Sequence, residues 1–478
     1  MAIVEAPPRI APRPPLPAGR DAAIDLLRAI CVAGVVLLHA IMVGVTIAEG
    51  SPVFANASEG TSWIIPVSWV LQVMPLFFII GGFAGHIAFR RSQARGCTAS
   101  DFIAARVHRL LRPALFAIAV VGVALAALYV AGVPAAIIAT AGFRYSQPLW
   151  FLGVFLGCQA LLPALSRAHA RRPLVTVAAL VWASVCVDVA RASTGVEGLG
   201  FLNLAFVWLA LQQIGFFLAD GTIDRLPRAT RALVGAAALT ALIAAFATGI
   251  YSPDLIANIN PPTAALLLVG VVHLSAVSLL RDRIDELSHR PVPAAFGAFV
   301  NRRTMTIYLC HMPVLLAMAG ISAVASLVSG IALPDPSSVS WWVSRPIWLA
   351  VALTLTAAIA TSLTRIEMQP SPRSADRTHR VVIAAVLGIA SVVLLLVAGT
   401  TVLTASVAAG GMLLSLRIAR RSHETASGES VADVVRVAQC PDHERHRASH
   451  AATDAACEVG LGDRMGEACD HRNHREGQ

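Results

Sequence analysis

Long uninterrupted runs of apolar residues dominate the sequence, and charged residues fall between them. Since about 20 apolar residues span the hydrocarbon core as a helix, each run predicts a membrane crossing. The predicted crossings are 24–47, 63–88, 114–133, 148–166, 173–190, 199–219, 232–250, 262–280, 304–330 and 342–364. We therefore predict an all-α fold, a polytopic bundle of ten core transmembrane helices, with one or two more helices after it.

The additional helices come from the uncharged run 381–416. It is long enough for one extended helix or for a tight hairpin of two short ones. Arg417, Arg420 and Arg421 follow it, and two crossings would return them to the side from which the run started. We favour two helices that turn near Gly399–Thr401.

The ends of the chain differ in composition from this apolar core. Residues 1–20 form a Pro-rich tail, and residues 422–478 are polar and predicted to be disordered. The core domain is placed at 21–365. The C-terminal tail carries Cys440, His443 and His446, but their spacing matches no standard zinc motif, so no metal site is predicted.

The distribution of arginines predicts the orientation of the bundle in the membrane. With the N-terminus inside, the inner segments carry 24 arginines, whereas the outer loops carry only Arg144, Arg191 and Arg345. We expect a multi-pass protein of the bacterial plasma membrane with a cytoplasmic N-terminus. The net charge of +9 comes from arginine alone and is scattered at the ends of helices, so it does not indicate nucleic-acid binding.

The first helix combines Asp25, Arg28 and His39 on one stripe. Arg28 and His39 are eleven residues apart, which is nearly three helical turns and places His39 ~16 Å deeper along the axis. An ionisable group in the membrane interior has a large cost in free energy, so its presence needs an explanation. One explanation is an interfacial Asp25–Arg28 ion pair and a histidine that bonds a neighbouring helix, and the other is a reactive site.

Two further segments carry polar groups beside helix breaks. In the second helix Pro75 and the pair Gly81-Gly82 favour a kink or close packing. In the ninth helix Tyr308 and His311 share a face, and Pro313 frees a backbone carbonyl. Either segment could serve packing alone or form part of a site.

The segment after the second helix carries arginines at every third position, Arg106, Arg109 and Arg112. We expect a short amphipathic loop segment whose guanidinium groups suit phosphates. The alternative role is anchoring to anionic lipid.

These motifs, in this order, resemble the acyltransferase-3 family of bacterial integral membrane acyltransferases. The resemblance covers roughly residues 20–365 and includes no SGNH-type domain. It rests on Asp25-Leu26-Leu27-Arg28 with His39, Met74-Pro75-Leu76-Phe77-Phe78 with Gly81-Gly82-Phe83, Arg106-x-x-Arg109-x-x-Arg112-Pro113, Leu149-Trp150-Phe151-Leu152 and Tyr308-Leu309-Cys310-His311-Met312-Pro313. Gly81 stands where the family commonly has serine.

The resemblance implies transfer of an acyl group, often acetyl, from cytoplasmic acyl-CoA to a hydroxyl of a glycan, glycolipid or other small acceptor. His39 and Arg28 would then be catalytic, with no permanently bound cofactor. The expected acyl-CoA-binding residues are Arg106, Arg109, Arg112, His311 and Tyr308, supported by Asp25, Trp150 and Phe78. Direct transfer and an acyl-histidine intermediate both remain open.

A secondary transporter is the competing class, because it also needs broken helices and buried ionisable groups. The lack of a visible internal repeat speaks against it, and the arginine cluster favours a soluble anionic donor. The expected partners are the lipid bilayer, acyl-CoA and a glycan or lipid-linked acceptor.

Overall fold

The computed structural model describes residues 21–370 and 378–420. The two predicted tails, with Cys440, His443 and His446, lie outside these ranges. In the described residues the α-helices are α1 Ala22–Met42, α2 Ile64–Leu71, α3 Met74–Ala94, α4 Ala99–Val130, α5 Ala135–Ser146, α6 Trp150–Arg171, α7 Pro173–Thr194, α8 Asn203–Ala219, α9 Arg228–Ala247, α10 Ala265–Leu279, α11 Arg281–His289, α12 Pro291–Arg302, α13 Thr304–Ser329, α14 Val339–Ser362, α15 Thr364–Glu367, α16 Thr378–Ala398 and α17 Val402–Ile418. The strands are β1 Val43–Ala48 and β2 Ser51–Asn56.

The helices are those of a multi-pass membrane protein. In the described ranges ten of them are long and apolar enough to cross a membrane, and α10 with α11, bent by 68°, makes an eleventh if the pair is one span. The shorter apolar helix α17 follows α16. The predicted polytopic helical bundle is confirmed.

The predicted first helix is wrong over its last five residues. Helix α1 ends at Met42, and β1 pairs with β2 in an antiparallel hairpin that turns at Glu49 and Gly50, both with positive φ. An apolar run rich in β-branched residues does not by itself distinguish a helix end from a strand. Because α1 already has 21 residues, it is long enough to span without this extension.

The predicted kink in the second helix is a two-residue interruption, Gln72 and Val73, within one candidate span. Helix α2 ends before Gln72, and α3 starts afresh with Pro75 in its first turn, where the missing N–H is harmless. Glycine then lets α3 and α8 cross at very short range. A Cβ on Gly82 would lie 2.1 Å from the carbonyl oxygen of Gln212, and one on Gly215 would lie 2.1 Å from that of Ile79.

The arginine segment after the second helix is helical and not a loop. Helix α4 begins at Ala99 with a capping box from Thr98 and Asp101 and runs 32 residues, through Pro113, to Val130. The helix α5, of 12 residues, was not predicted; it precedes the fourth crossing, and a 3-10 turn, Gln147–Leu149, connects it to α6. Arg106, Arg109 and Arg112 therefore extend a crossing helix beyond its apolar part.

The C-terminal run forms the predicted hairpin. Helix α16 ends at Ala398, Gly399 has a φ of 72° that favours glycine, and Thr401 caps α17 through Thr404. The hairpin packs on α4 and α6. At its turn the Thr400 hydroxyl lies 2.7 Å from the hydroxyl of Ser146 at the end of α5.

Candidate functional site

Three cavities follow one another along α1. The arginine-lined cavity has a volume of about 670 Å³ and includes Arg28 in its wall. The histidine cavity, about 120 Å³ with mainly apolar walls, includes Val32 and His39. The hairpin-side chamber, about 570 Å³, shares Met42 with the histidine cavity and lies beside the loop after β2. We call the end of the bundle near Arg28 the arginine end. The end near the β1–β2 hairpin is the hairpin end.

His39 and His311 meet across the interface of α1 and α13. Nδ1 of His39 lies 3.1 Å from Nε2 of His311, and the ring centroids are 5.0 Å apart. His311 is completely buried, whereas His39 is partly accessible and lines the histidine cavity. The structure thus brings together two histidines that the sequence placed on separate helices.

The hydrogen bonds of this pair define its tautomers. Nδ1 of His311 lies 2.6 Å from the backbone carbonyl oxygen of Tyr308, which can only accept a hydrogen bond. With both rings neutral, Nδ1–H of His311 is therefore the donor and its Nε2 is an acceptor. Nδ1–H of His39 must then donate to His311, which leaves Nε2 of His39 with a lone pair.

Helix α13, which carries His311, is anchored at its N-terminus by a buried carboxylate. Glu367 accepts the backbone N–H groups of Met305 and Thr306, each at 3.0 Å, and the Thr306 hydroxyl at 2.6 Å. An anion at a helix N-terminus is favourable because the free N–H groups and the helix dipole point at it. This contact fixes the position of α13 along its own axis relative to the arginine end.

Aromatic side chains surround the histidine cavity. The Tyr308 hydroxyl donates to the carbonyl oxygen of Pro148 at 2.5 Å, and both residues line the cavity together with Trp150. Trp150 and Phe78 both stack on Trp208, with centroid distances of 5.4 Å and 4.5 Å. Phe78 lies behind the wall, and its neighbour on the chain, Phe77, is the one that lines the cavity.

The arginine-lined cavity gathers side chains from four helices. Arg28, Arg91, Arg109 and Arg302 come from α1, α3, α4 and α12. Arg28 forms the predicted ion pair with Asp25 at 3.2 Å, and both residues line the cavity. Several guanidinium groups facing one space suit a ligand with several phosphates.

The three arginines spaced by threes do not act as one face. Each step of three residues turns a helix by about 300°, so Arg106 and Arg112 point roughly 120° apart. Arg109 lines the cavity, but Arg106 stacks over Phe102 at 4.8 Å. Arg112 donates to the carbonyl oxygens of Gln369 and Pro370.

Several polar and aromatic residues at these cavities were not among the predicted site residues. Arg91 and Arg302 line the arginine-lined cavity, Gln72 lines the histidine cavity, and Trp208 supports it from behind. Gln72 stands at the helix break beside Met74-Pro75, and a polar residue there was a usable signal. Arg91 and Arg302 sit at helix ends, where many arginines have the same local sequence pattern.

The described part of the chain is thus a multi-pass helical protein with a histidine pair in an apolar cavity and a basic cavity further along α1. The sequence model of the acyltransferase domain matches residues 21–365. The chain therefore belongs to the acyltransferase-3 family and is an acyltransferase enzyme. Searches of curated proteins and of solved structures found no significant match. Helices α16 and α17 lie beyond the matched residues.

Proposed function

We propose that the protein transfers a short acyl group, acetyl, from acyl-CoA to a hydroxyl group, with His39 as general base. The observation that carries this proposal is the position of the His39–His311 pair. The lone pair of Nε2 in His39 is available in a mainly apolar cavity, about three turns along α1 from Arg28 of the arginine-lined cavity. A cavity of about 120 Å³ suits an acetyl group better than a long chain.

In the proposed reaction Nε2 of His39 takes the proton of the acceptor hydroxyl as its oxygen attacks the thioester carbonyl. The carbon–sulfur bond breaks, the ester forms, and the CoA thiolate leaves. The imidazolium of His39 returns its proton to that thiolate. His311 keeps Nε2 of His39 unprotonated before the reaction and accepts from Nδ1–H while His39 carries charge.

The arginine-lined cavity is the proposed site for the phosphates of CoA. Arg28, Arg109 and Arg302 supply guanidinium groups, and Arg28 precedes Val32 of the histidine cavity by one turn of α1. The ~16 Å between Arg28 and His39 along α1 is within reach of a pantetheine arm. The excess of arginines at this end supports a cytoplasmic location for it, in the bacterial plasma membrane.

The proposal is tested in membranes that contain the wild-type chain or His39→Ala, supplied with acetyl-CoA. We expect His39→Ala to lose acetyl-CoA-dependent acylation of membrane components and CoA release, at equal protein level. His273→Ala is the matched control, because His273 lies in α10 and outside the walls of the three cavities. Wild-type transfer by His39→Ala would contradict the assignment, and a transporter would release no CoA.

A further inference from the structure

The break between α2 and α3 lies at the depth of His39. Val73, within the break, packs on α1, because a Cβ added to Gly34 would lie 3.3 Å from a Val73 methyl group. Leu71, at the end of α2, packs against the small hydrophobic cluster that contains Ile41. Gly34 and Ile41 flank His39 along α1. The break therefore forms the part of the cavity wall that faces this stretch of α1.

Gln72 places a buried amide in this wall. The residue is 1% exposed and lines the histidine cavity. Its Nε2 donates to the backbone carbonyl oxygen of Leu255 at 2.8 Å, and because a carbonyl oxygen only accepts, this contact fixes the orientation of the amide. Among the described residues no other hydrogen bond engages the side chain, so the second N–H of Nε2 and the oxygen Oε1 are unused. A buried amide with unused groups in a cavity wall points to a ligand there.

Helix α3 presents its N-terminus at the same place. It begins at Met74, which also lines the histidine cavity. In the part of the chain that the structure describes, the N–H of Met74 makes no backbone hydrogen bond, as expected at the first position of a helix. The helix dipole makes this end favourable for negative charge. The cavity wall thus combines two N–H donors with the positive end of a helix of 21 residues.

We propose that the amide of Gln72 and the N–H of Met74 form an oxyanion site, an inference that deepens the proposed acyl transfer and rests on it. When the acceptor oxygen attacks the thioester carbonyl carbon, its proton passes to His39 and the π electron pair moves to the carbonyl oxygen. Nε2–H of Gln72 and N–H of Met74 donate to that negative oxygen. The electron pair returns as the carbon–sulfur bond breaks and the thiolate leaves, so both donors end unchanged. Donors held in place in a mainly apolar cavity stabilise this charge because they need not reorganise.

The alternative role for Gln72 is to hold the loop before α10, and Ser68 provides the matched control. Ser68, on α2, holds the same residue of that loop, since its Oγ accepts the backbone N–H of Leu255 at 2.9 Å. It lies outside the walls of the histidine cavity. Ser68→Ala therefore weakens the hold on Leu255 without removing a group from the cavity.

The first test measures CoA release at varied acetyl-CoA concentration in membranes that contain the wild-type chain, Gln72→Met or Ser68→Ala. Methionine keeps the length of the glutamine side chain but supplies no N–H donor. We expect Gln72→Met to lower kcat about 100-fold, the loss on removing one oxyanion donor, and to keep the KM for acetyl-CoA within about twofold. Ser68→Ala should keep both constants within about twofold of wild type.

Two outcomes of this test would overturn the inference and leave the proposed function intact. One is wild-type kcat in Gln72→Met, and the other is an equal loss of kcat in Gln72→Met and Ser68→Ala. Absence of CoA release from the wild-type chain would overturn the proposed function itself, and this inference with it.

The second test needs no turnover and uses an acetyl-CoA analogue in which CH₂ replaces the thioester sulfur, so that its ketone cannot be cleaved. The ketone carries ¹³C at the carbonyl, and its stretching band is measured by difference infrared spectroscopy on the purified chains. We expect binding to the wild-type chain and to Ser68→Ala to move the band to lower wavenumber, because donors polarise the carbonyl, and binding to Gln72→Met to move it less. An unshifted band for the analogue bound to the wild-type chain would overturn the inference, whether or not Gln72→Met folds.

Discussion

Nε2 of His311 lies 3.1 Å from Nδ1 of His39, although 272 positions separate the two residues in the chain. The contact joins α1 and α13, and it decides which nitrogen of His39 is free to take a proton. A histidine alone in an apolar helix has no such preference. The pair therefore makes His311 a positioning residue for the proposed reaction.

We expect His311→Ala to lower acyl transfer about 100-fold or more, because His39 loses the acceptor for its Nδ1–H. Acetyl-CoA affinity should change little, since His311 is outside the arginine-lined cavity. His311→Gln should recover part of the rate, because an amide oxygen can accept the same hydrogen bond. Acyl-transfer rates and acetyl-CoA affinities measured on the purified variants test this prediction. Equal losses in both variants would point to a purely structural role.

Arg302→Gln should raise the KM for acetyl-CoA about tenfold and leave kcat nearly unchanged, because it removes a phosphate-binding guanidinium group from the arginine-lined cavity. Arg283→Gln is the control, since Arg283 is exposed and lies outside the cavity walls. Steady-state kinetics at varied acetyl-CoA concentration give the KM and kcat of the two variants for comparison. If both variants raise KM equally, the effect is general electrostatic attraction and the cavity assignment is wrong.

Gly82→Ala should destabilise the bundle by about 2 kcal/mol or more, because the new methyl group collides with the backbone of α8. The collision is with the carbonyl oxygen of Gln212, which cannot rotate away as a flexible side chain could. Gly320→Ala is the matched helical control, because a Cβ there meets nothing within 4 Å. Thermal unfolding in detergent should show a lower Tm for Gly82→Ala alone. A comparable Tm for the two variants would contradict the close crossing.

Asp188→Ala should lower the Tm by removing a shared acceptor at the hairpin end. Asp188 accepts from the Asn203 amide at 2.8 Å, and from the Tyr251 hydroxyl and the Ala264 N–H at 2.7 Å each. Burial, with the hydrogen bond to Asp188, raises the pKa of Tyr251, so its phenol remains a donor at neutral pH. We expect a loss of about 3 kcal/mol for Asp188→Ala and about 1 kcal/mol for Tyr251→Phe.

The control for Asp188→Ala is Asp282→Ala, whose side chain is 90% exposed. Its Tm should stay at the wild-type value, because surface ion pairs contribute little to stability. A Tm for Asp188→Ala equal to that of Asp282→Ala would show that the three hydrogen bonds do not hold the loop before α10.

The sequence alone determined the crossings other than 262–280, where α10 is a shorter helix bent by 68° against α11, and it determined the C-terminal hairpin and the shared stripe of Arg28 and His39. These features depend on two local quantities, the length of an apolar run and the rotation of 100° per residue in a helix. Both can be read from the sequence without knowing which helices pack together. The same local reasoning failed at residues 43–47, where an apolar run is compatible with both helix and strand.

Only the tertiary structure decided which side chains meet. It paired His39 with His311, separated Arg109 from Arg106 and Arg112, and added Arg302 to the arginine-lined cavity. Each of these facts depends on how helices distant in the chain pack together, and helix periodicity carries no information about the partner helix. For the same reason the chamber beyond Met42, which joins a loop, α5 and α1, has no signature in the sequence.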